Sequence, residues 1–374
     1  MVFWYFLIGT LMNSPHHKPL LLNVSKTNLD YNAFAEEYAH AKYALGLLEG
    51  SQKKLQNPTL LISPLTAKEA TVSSKIEGTV STVSDVFIYE AGGKHKDLDA
   101  AQVANYRTAM HHAIGELEQK RGISSHLIKS LHATLLGRVR HQGALGQFRN
   151  DTVYIAERPS DPIEKAIYIP PEFVQIQDYM DNLMEYLSQS KDGALIKAGL
   201  FHYQFEAVHP FMDGNGRLGR LLIPLILFQE QKLSLPILYL SGYFEAHREH
   251  YRSALHEVDK TGVYENWIKF FLNSVGQQLQ ETQNLVETIY ELYDEIKHSF
   301  QMTKSPYLMP FIDFIFASPA FTISMVQESL EDCSRQTATR LIDLFIDQEI
   351  VKDLDFRVGR TKLFSFPRLL NLLN

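Results

Sequence analysis

The chain has 374 residues and a mass of 42.8 kDa, enough for two or three domains. Apolar residues make up 45% and charged residues 21%, which excludes a disordered or fibrous chain. The net charge of −7 argues against a surface built throughout for polyanions, and one cysteine, Cys333, excludes an intrachain disulfide and thiolate metal sites, so a cytoplasmic protein is expected.

Residues 1–12, MVFWYFLIGTLM, are too short to span a bilayer, which takes about 20 apolar residues. No Lys or Arg precedes them, as a secretory signal requires. They read as a buried N-terminal strand or as an extension from an early start codon. No other segment is long and apolar enough to cross a membrane, so no membrane partner is expected.

A helix is predicted over 29–56 from Phe34, Tyr38, Ala41, Leu45 and Leu48, ended by Gly50-Ser51, with a break at Asn57-Pro58. Ile76, Val80, Val83 and Phe87 recur as one apolar helical face, closed by Gly92-Gly93. Helices follow at 98–120 and 124–137. Residues 146–171 change period: Val153-Tyr154-Ile155 and Ile167-Tyr168-Ile169 read as a lone hairpin. Helices resume at 172–190, 192–208, 215–233, 245–258 and 263–300.

Residues 304–374 read as a separate unit. Helices are expected at 306–317, 324–331 and 335–348, the last capped by Ser334. Ile350-Val351 and Lys362–Phe366 flank Arg357-Val358-Gly359-Arg360 as a hairpin, so the tail resembles a winged helix. Arg335 and Arg340 share its third helix with Asp343 and Asp347, a mixture that argues poorly for DNA. A protein-contact or dimerisation module is the competing reading.

Residues 209–220, His-Pro-Phe-Met-Asp-Gly-Asn-Gly-Arg-Leu-Gly-Arg, carry the chemistry. Gly214 and Gly216 around Asn215 can take positive φ, so that successive N–H groups converge on an anion. The next helix adds its positive end. Arg217 and Arg220 lie on adjacent turns and can fork onto phosphate oxygens. Asp213 offers an oxygen to Mg²⁺, and His209 can take a proton. A phosphate cradle, a metal ligand and a base in twelve residues form a phosphoryl- or nucleotidyl-transfer set.

This stretch resembles the signature of the Fic family, His-x-Phe-x-(Asp/Glu)-Gly-Asn-Gly-Arg-x-x-Arg, with no departure. The resemblance implies a mainly α fold. It comprises N-terminal inhibitory helices (1–97), a Fic catalytic core with a β-hairpin flap (98–300) and a winged-helix domain (304–374). It also implies transfer of AMP from ATP to a Ser, Thr or Tyr hydroxyl of a target protein. His209 would deprotonate that hydroxyl, and Asp213 would hold Mg²⁺ on the α- and β-phosphates. The Gly214, Asn215 and Gly216 backbone would cradle the phosphates, with a further contact from the Asn215 side chain. Arg217 would neutralise the leaving pyrophosphate and Arg220 would bind the γ-phosphate. Leu218 and Gly219 complete the ATP-binding loop. In the flap, Val153, Tyr154, Ile155 and Ala156 would border the nucleotide and offer an open edge to an extended target segment.

Upstream, Ser73-Ser74-Lys75-Ile76-Glu77-Gly78 resembles the family's inhibitory motif, (Ser/Thr)-x-x-x-Glu-(Gly/Asn). It implies that Glu77 competes with the γ-phosphate for Arg220 within one chain. Tyr243 and Tyr251 are the candidates for the adenine slot. His247 and His250 lack a third ligand for zinc. Relatives often dimerise, so a homodimer is an expectation. Two alternatives stay open. One is a Fic enzyme that uses another nucleotide or removes AMP. The other is a winged-helix DNA-binding regulator whose Fic core senses a nucleotide.

Overall fold

A computed structural model describes residues 3–6, 16–52, 58–93, 98–137, 139, 141–156, 158, 161–358 and 361–374. Residues 1, 2 and 7–12 of the apolar start, Asn57, the 94–97 boundary and Gly359-Arg360 lie outside the described residues.

Strand β1 spans Phe3–Phe6. Helices α1 (Ala35–Gln52), α2 (Ile62–Ile76), α3 (Val83–Glu90), α4 (Leu98–Glu118) and α5 (Ser125–Leu135) follow, then strand β2 (Val153–Ala156). Next come α6 (Ile176–Gln189), α7 (Ala194–Val208), α8 (Asn215–Gln229), α9 (Ser241–Ala246), α10 (Arg248–Thr261) and α11 (Glu265–Ser299). The last part comprises α12 (Leu308–Ala317), β3 (Ala320–Thr322), α13 (Ile323–Ser329), α14 (Arg335–Asp347), β4 (Lys352–Val358), β5 (Thr361–Ser365) and α15 (Pro367–Leu373). The fold is mainly α, as expected.

Helix α7 is buried on nearly every side, which is why its sequence is apolar all round rather than striped. It packs against α8, whose Leu221, Leu222, Leu225 and Ile226 are also buried. The loop between these two core helices is therefore held on a rigid base. Ser124 and Ser334 cap α5 and α14 with side-chain oxygens that accept from the Leu127 and Thr337 N–H groups.

Two expectations change. The apolar face from Ile76 to Phe87 is not one helix: Gly78, at φ 104, ends α2, and Val80 is 87% exposed. Thr82 starts a new helix with a capping box to Asp85. The flap is not a lone hairpin with an open edge. Residues 153–156 meet residue 168 only at the bridge Ile155↔Tyr168, while their other edge pairs antiparallel with β1, from Phe3↔Ala156 to Phe6↔Val153.

Among the described residues the tail carries four helices, α12 to α15, and a three-stranded sheet of order β3-β5-β4. It packs on α2 and α3: Lys68 Nζ donates to the Leu373 carbonyl at 3.0 Å, and Asn374 Nδ2 donates to Ser84 Oγ at 2.9 Å. The helix carrying Glu77 thus has the tail on its outer side.

Candidate active site

Helix α7 stops at His209, which takes a left-handed conformation at φ 48 ahead of Pro210. The chain then turns through 211–214 into α8. Asn215 ties this turn to itself: its Oδ1 accepts from Phe211 N–H at 2.9 Å and its Nδ2 donates to Phe211 O at 2.8 Å. The Asn215 side chain, expected to touch phosphate, braces the loop here. Of Gly214, Asn215 and Gly216, Gly214 alone has positive φ, at 78; Asn215 and Gly216 already belong to α8. The cradle is a helix N-terminus preceded by one left-handed glycine.

Two further residues hold the loop, and neither drew notice in the sequence. His132 on α5 accepts the Gly146 N–H at Nδ1, 2.9 Å away, so its Nε2 carries the proton and donates to Asp213 O at 3.1 Å. Its ring stacks on Phe211 at 3.9 Å, and burial lowers its pKa to about 4, which keeps it neutral. Arg149 is buried and spends its guanidinium on carbonyls: Nε on His209 at 2.9 Å, Nη2 on Pro171 at 2.6 Å and Nη1 on Asp151 at 3.0 Å. It ties the end of α7 to both roots of the flap.

His209 is 1% exposed, and its pKa is pushed well below the usual value, first by burial and then by the Arg149 cation. A contact with the Glu206 backbone opposes this. The imidazole is held neutral, the state a general base needs.

Arg220 is fully buried and held three ways. Its Nη2 donates to Glu77 Oε1 at 2.8 Å and to Ser73 O at 2.9 Å, while Nε donates to Ser73 Oγ at 2.9 Å. Burial would lower its pKa, but Glu77, Tyr251 and Glu206 together raise it, so the cation is secure. Gly216 makes the pair possible, since a Cβ there would lie 2.5 Å from Glu77 Oε1 and 2.9 Å from Arg220 Nη1. Arg217 donates to Gln102 Oε1 at 2.8 Å and lies 3.6 Å from Asp213 Oδ1. Asp213 also accepts the Gly214 N–H at 2.6 Å, and its side chain is a third exposed.

Of the two adenine-slot candidates, Tyr251 is buried in an aromatic cluster with its hydroxyl 2.8 Å from His202 Nε2, and Tyr243 stacks on His247 at 4.0 Å. A cavity of about 260 Å³ lies between the flap and α10, lined by Ile155, Ile167, Tyr168, Glu206 and Ser253 among others. Of the flap strand, Ile155 reaches it, while Val153, Tyr154 and Ala156 are buried. Among the described residues, no group of three or more His, Cys, Asp or Glu side chains could hold a metal, and no helix is long and apolar enough to cross a membrane.

A buried neutral imidazole at the end of α7 and two arginines in the first two turns of α8 thus flank one braced loop in a helical core. The Fic/DOC family N-terminal model matches residues 35–115 and the Fic/DOC family model matches residues 122–227. The chain belongs to the Fic/DOC family. It is 34% identical over 96 residues to a probable protein adenylyltransferase of Aquifex aeolicus, covering 25% of this chain and 30% of that protein. It is 32% identical over 124 residues to the protein adenylyltransferase Fic of Drosophila mojavensis, covering 32% of this chain and 22% of that one. The match thus spans less than a third of these relatives' length. Among solved structures, a Fic family protein from Desulfovibrio desulfuricans aligns with TM-score 0.55 at 17% identity, over 91% of this chain and 98% of that chain. A fragment of Fic-1 from C. elegans aligns with TM-score 0.53 at 20% identity, over 68% and 74%.

Proposed function

We propose that the chain is a protein adenylyltransferase, moving AMP from ATP to a hydroxyl side chain of a target protein and to its own, and that Glu77 restrains it in cis. The observation that carries this is Arg220, a buried cation at the start of α8, held by Glu77 and Ser73 of α2 where the next anion along the loop would be a phosphate.

A hydroxyl is a poor nucleophile until its proton has somewhere to go. His209 takes that proton as the hydroxyl oxygen bonds to the α-phosphorus. The bond from that phosphorus to the α–β bridging oxygen breaks, and pyrophosphate leaves. Arg217 offsets the leaving charge once it exchanges Gln102 for phosphate. The α8 N-terminus adds partial positive charge to the same oxygens. Asp213 fits a Mg²⁺ ligand: it is a part-exposed carboxylate at the loop mouth, and such ions take one or two carboxylates plus substrate phosphates. When bound, the ion would supply charge neutralisation on the phosphates.

The base has an apolar slot in the cavity beside Ile155 and Ile167. Glu77 and the γ-phosphate compete for one guanidinium, so the resting pair turns nucleotide away from its productive pose. A target segment that pairs with the flap displaces β1 from Val153–Ala156. The tail is read as a winged-helix protein-contact module, with homodimerisation and nucleic acid as its tests. The single buried Cys333 supports a reducing, cytoplasmic compartment.

Mass spectrometry of the Glu77→Gly protein after incubation with Mg·ATP tests the reading. A gain of one AMP on a Ser, Thr or Tyr supports it. A gain from another nucleotide only, or loss of AMP from a pre-modified protein with no gain from ATP, replaces it with the corresponding alternative.

A further inference from the structure

The outer edge of the flap is occupied by the chain itself. Strand β1 runs antiparallel along β2, with Phe3↔Ala156, Trp4↔Ile155, Tyr5↔Tyr154 and Phe6↔Val153 as partners. The inner edge is spent elsewhere: the Ile155 N–H donates to Tyr168 O at 2.8 Å, and Ile155 O accepts from the Ile167 N–H at 2.7 Å. Backbone groups alternate from edge to edge along a strand, so those of Tyr154 and Ala156 point to β1. The same N-terminal segment is pinned again downstream. The His17 N–H donates to Ile169 O at 2.8 Å, and His16 Nδ1 donates to Pro170 O at 2.7 Å. Residues 16 and 17 thus hold the second root of the flap while residues 3–6 hold its strand.

Resting on the transferase reading above, we propose that this edge is a docking site for an extended peptide and that β1 is its resident pseudosubstrate, a second restraint that bars the target rather than the nucleotide. Main-chain pairing along a sheet edge supplies affinity, and alternate side chains supply specificity. Residues directly opposite in an antiparallel pair share a face. Trp4 stands opposite Ile155, the flap residue that lines the cavity assigned to the base, and Phe6 stands opposite Val153 on that same face. Neither residue type has a hydroxyl to receive AMP. Tyr5, which has one, stands opposite Tyr154 on the other face. The resident strand therefore fills the edge without being a substrate. The partner that replaces it is an extended segment antiparallel to Val153–Ala156, with Ser, Thr or Tyr at the register of Trp4 or Phe6.

This restraint is distinct from the pair on Arg220, since Glu77 acts from α2 and β1 acts on the flap. Residues 7–15 join β1 to the His16 anchor. So short a tether holds a strand near its edge at an effective concentration on the order of 1 mM. A free segment at about a tenth of that competes poorly until β1 is released.

The test uses the full-length Glu77→Gly protein and a synthetic peptide of residues 2–7 carrying Trp4→Tyr and a C-terminal lysine tail. Adding Phe3→Pro and Tyr5→Pro to the protein removes the two N–H groups that β1 gives to the flap. At about 0.1 mM peptide, releasing β1 in this way should speed peptide labelling about tenfold and leave the ATP Kd within about twofold. Amide exchange at Tyr154 and Ala156 should quicken about tenfold or more, while Ile155, bonded to Tyr168, holds its rate. A protein with Trp4→Tyr and no proline should gain AMP at position 4 and none at Tyr5. There the phenol oxygen bonds to the α-phosphorus, pyrophosphate leaves and His209 takes the proton. Unchanged exchange at Tyr154 and Ala156 in the proline variant overturns the proposal whether or not AMP is transferred. A protein that labels itself but labels the peptide equally with β1 paired or released overturns it alone, as does AMP on Tyr5. A protein that gains no AMP and labels no peptide overturns it together with the transferase reading.

Discussion

His209 sits in a left-handed conformation that a residue with a Cβ adopts reluctantly, and Arg149 holds it there through its carbonyl. The imidazole is thereby fixed at the loop mouth. His209→Ala should cut AMP transfer by at least about 10²-fold while ATP Kd barely moves, since a base is lost and the phosphate site is kept. Initial rates and calorimetry separate the two. The pH dependence follows from the same burial. A base whose pKa is depressed stays neutral above the usual 6.5 and protonates only as pH falls through its lower folded value. At saturating ATP, the Glu77→Gly protein should therefore show no acid limb centred at 6.5; a limb there would mean a solvated imidazole. At this scale the sequence placed His209, Asp213, Arg217 and Arg220 in one contiguous stretch, and the structure keeps them around one loop. The sequence was silent on His132, Arg149 and Gln102, because these meet the loop across about 60 to 115 residues of chain and have no spacing to read. Nor did it record the bracing of the turn by Asn215, whose amide can serve a phosphate or a turn equally well on paper.

In the proposed function, helix α2 is the element on which restraint depends, and several contacts fix it. Glu69 is buried with its pKa raised to about 7 by desolvation, and it accepts from Ser241 Oγ and, at 3.3 Å, from Ser241 N–H. Ser73 and Glu77 hold Arg220 from the same face. At its C-terminal end, Arg248 Nη2 donates to Ile76 O at 2.9 Å, satisfying a carbonyl that the helix leaves open. Arg248→Ala removes that cap without touching the loop. Losing about 1 kcal/mol of restraint should raise basal AMP transfer about fivefold. A rate equal to wild type would show that the end of α2 is held by its other contacts alone. The boundary of α2 was only half legible. The apolar spacing from Ile76 to Phe87 continues through the break, whereas Gly78 and the Thr82 cap decide it. Likewise the apolar start was readable as a strand, but its pairing with residues 153–156 is a long-range event that no local pattern records.

At the scale of the whole molecule, the tail reaches the catalytic core through α2 and α3. The C-terminal helix α15 buries Leu369, Leu370 and Leu373; the Leu373 carbonyl accepts from Lys68 and Asn374 donates to Ser84. Ending the chain at Phe366 would uncover the outer side of α2. Each lost core leucine costs about 2–5 kcal/mol at most, so a drop in Tm of several degrees is expected. Basal transfer should rise in the same protein, because a looser α2 yields Arg220 more often. A lower Tm with unchanged transfer would separate the tail from regulation. Three of the tail's helices and its hairpin were legible from turn residues and periodicity, but its third strand, Ala320–Thr322, and its last helix, Pro367–Leu373, were not, being three and seven residues long.

The most direct test is the initial rate of α-labelled AMP incorporation by wild type, Glu77→Gly, Arg220→Ala and the double variant, with folding checked by circular dichroism. If the resting pair is worth about 2–3 kcal/mol, only ~1–3% of bound ATP is productive in wild type. Glu77→Gly should then raise incorporation by tens of fold, and adding Arg220→Ala should remove most of that gain. A folded Glu77→Gly protein that labels no faster than wild type, or a double variant as fast as Glu77→Gly, would contradict the competition for Arg220.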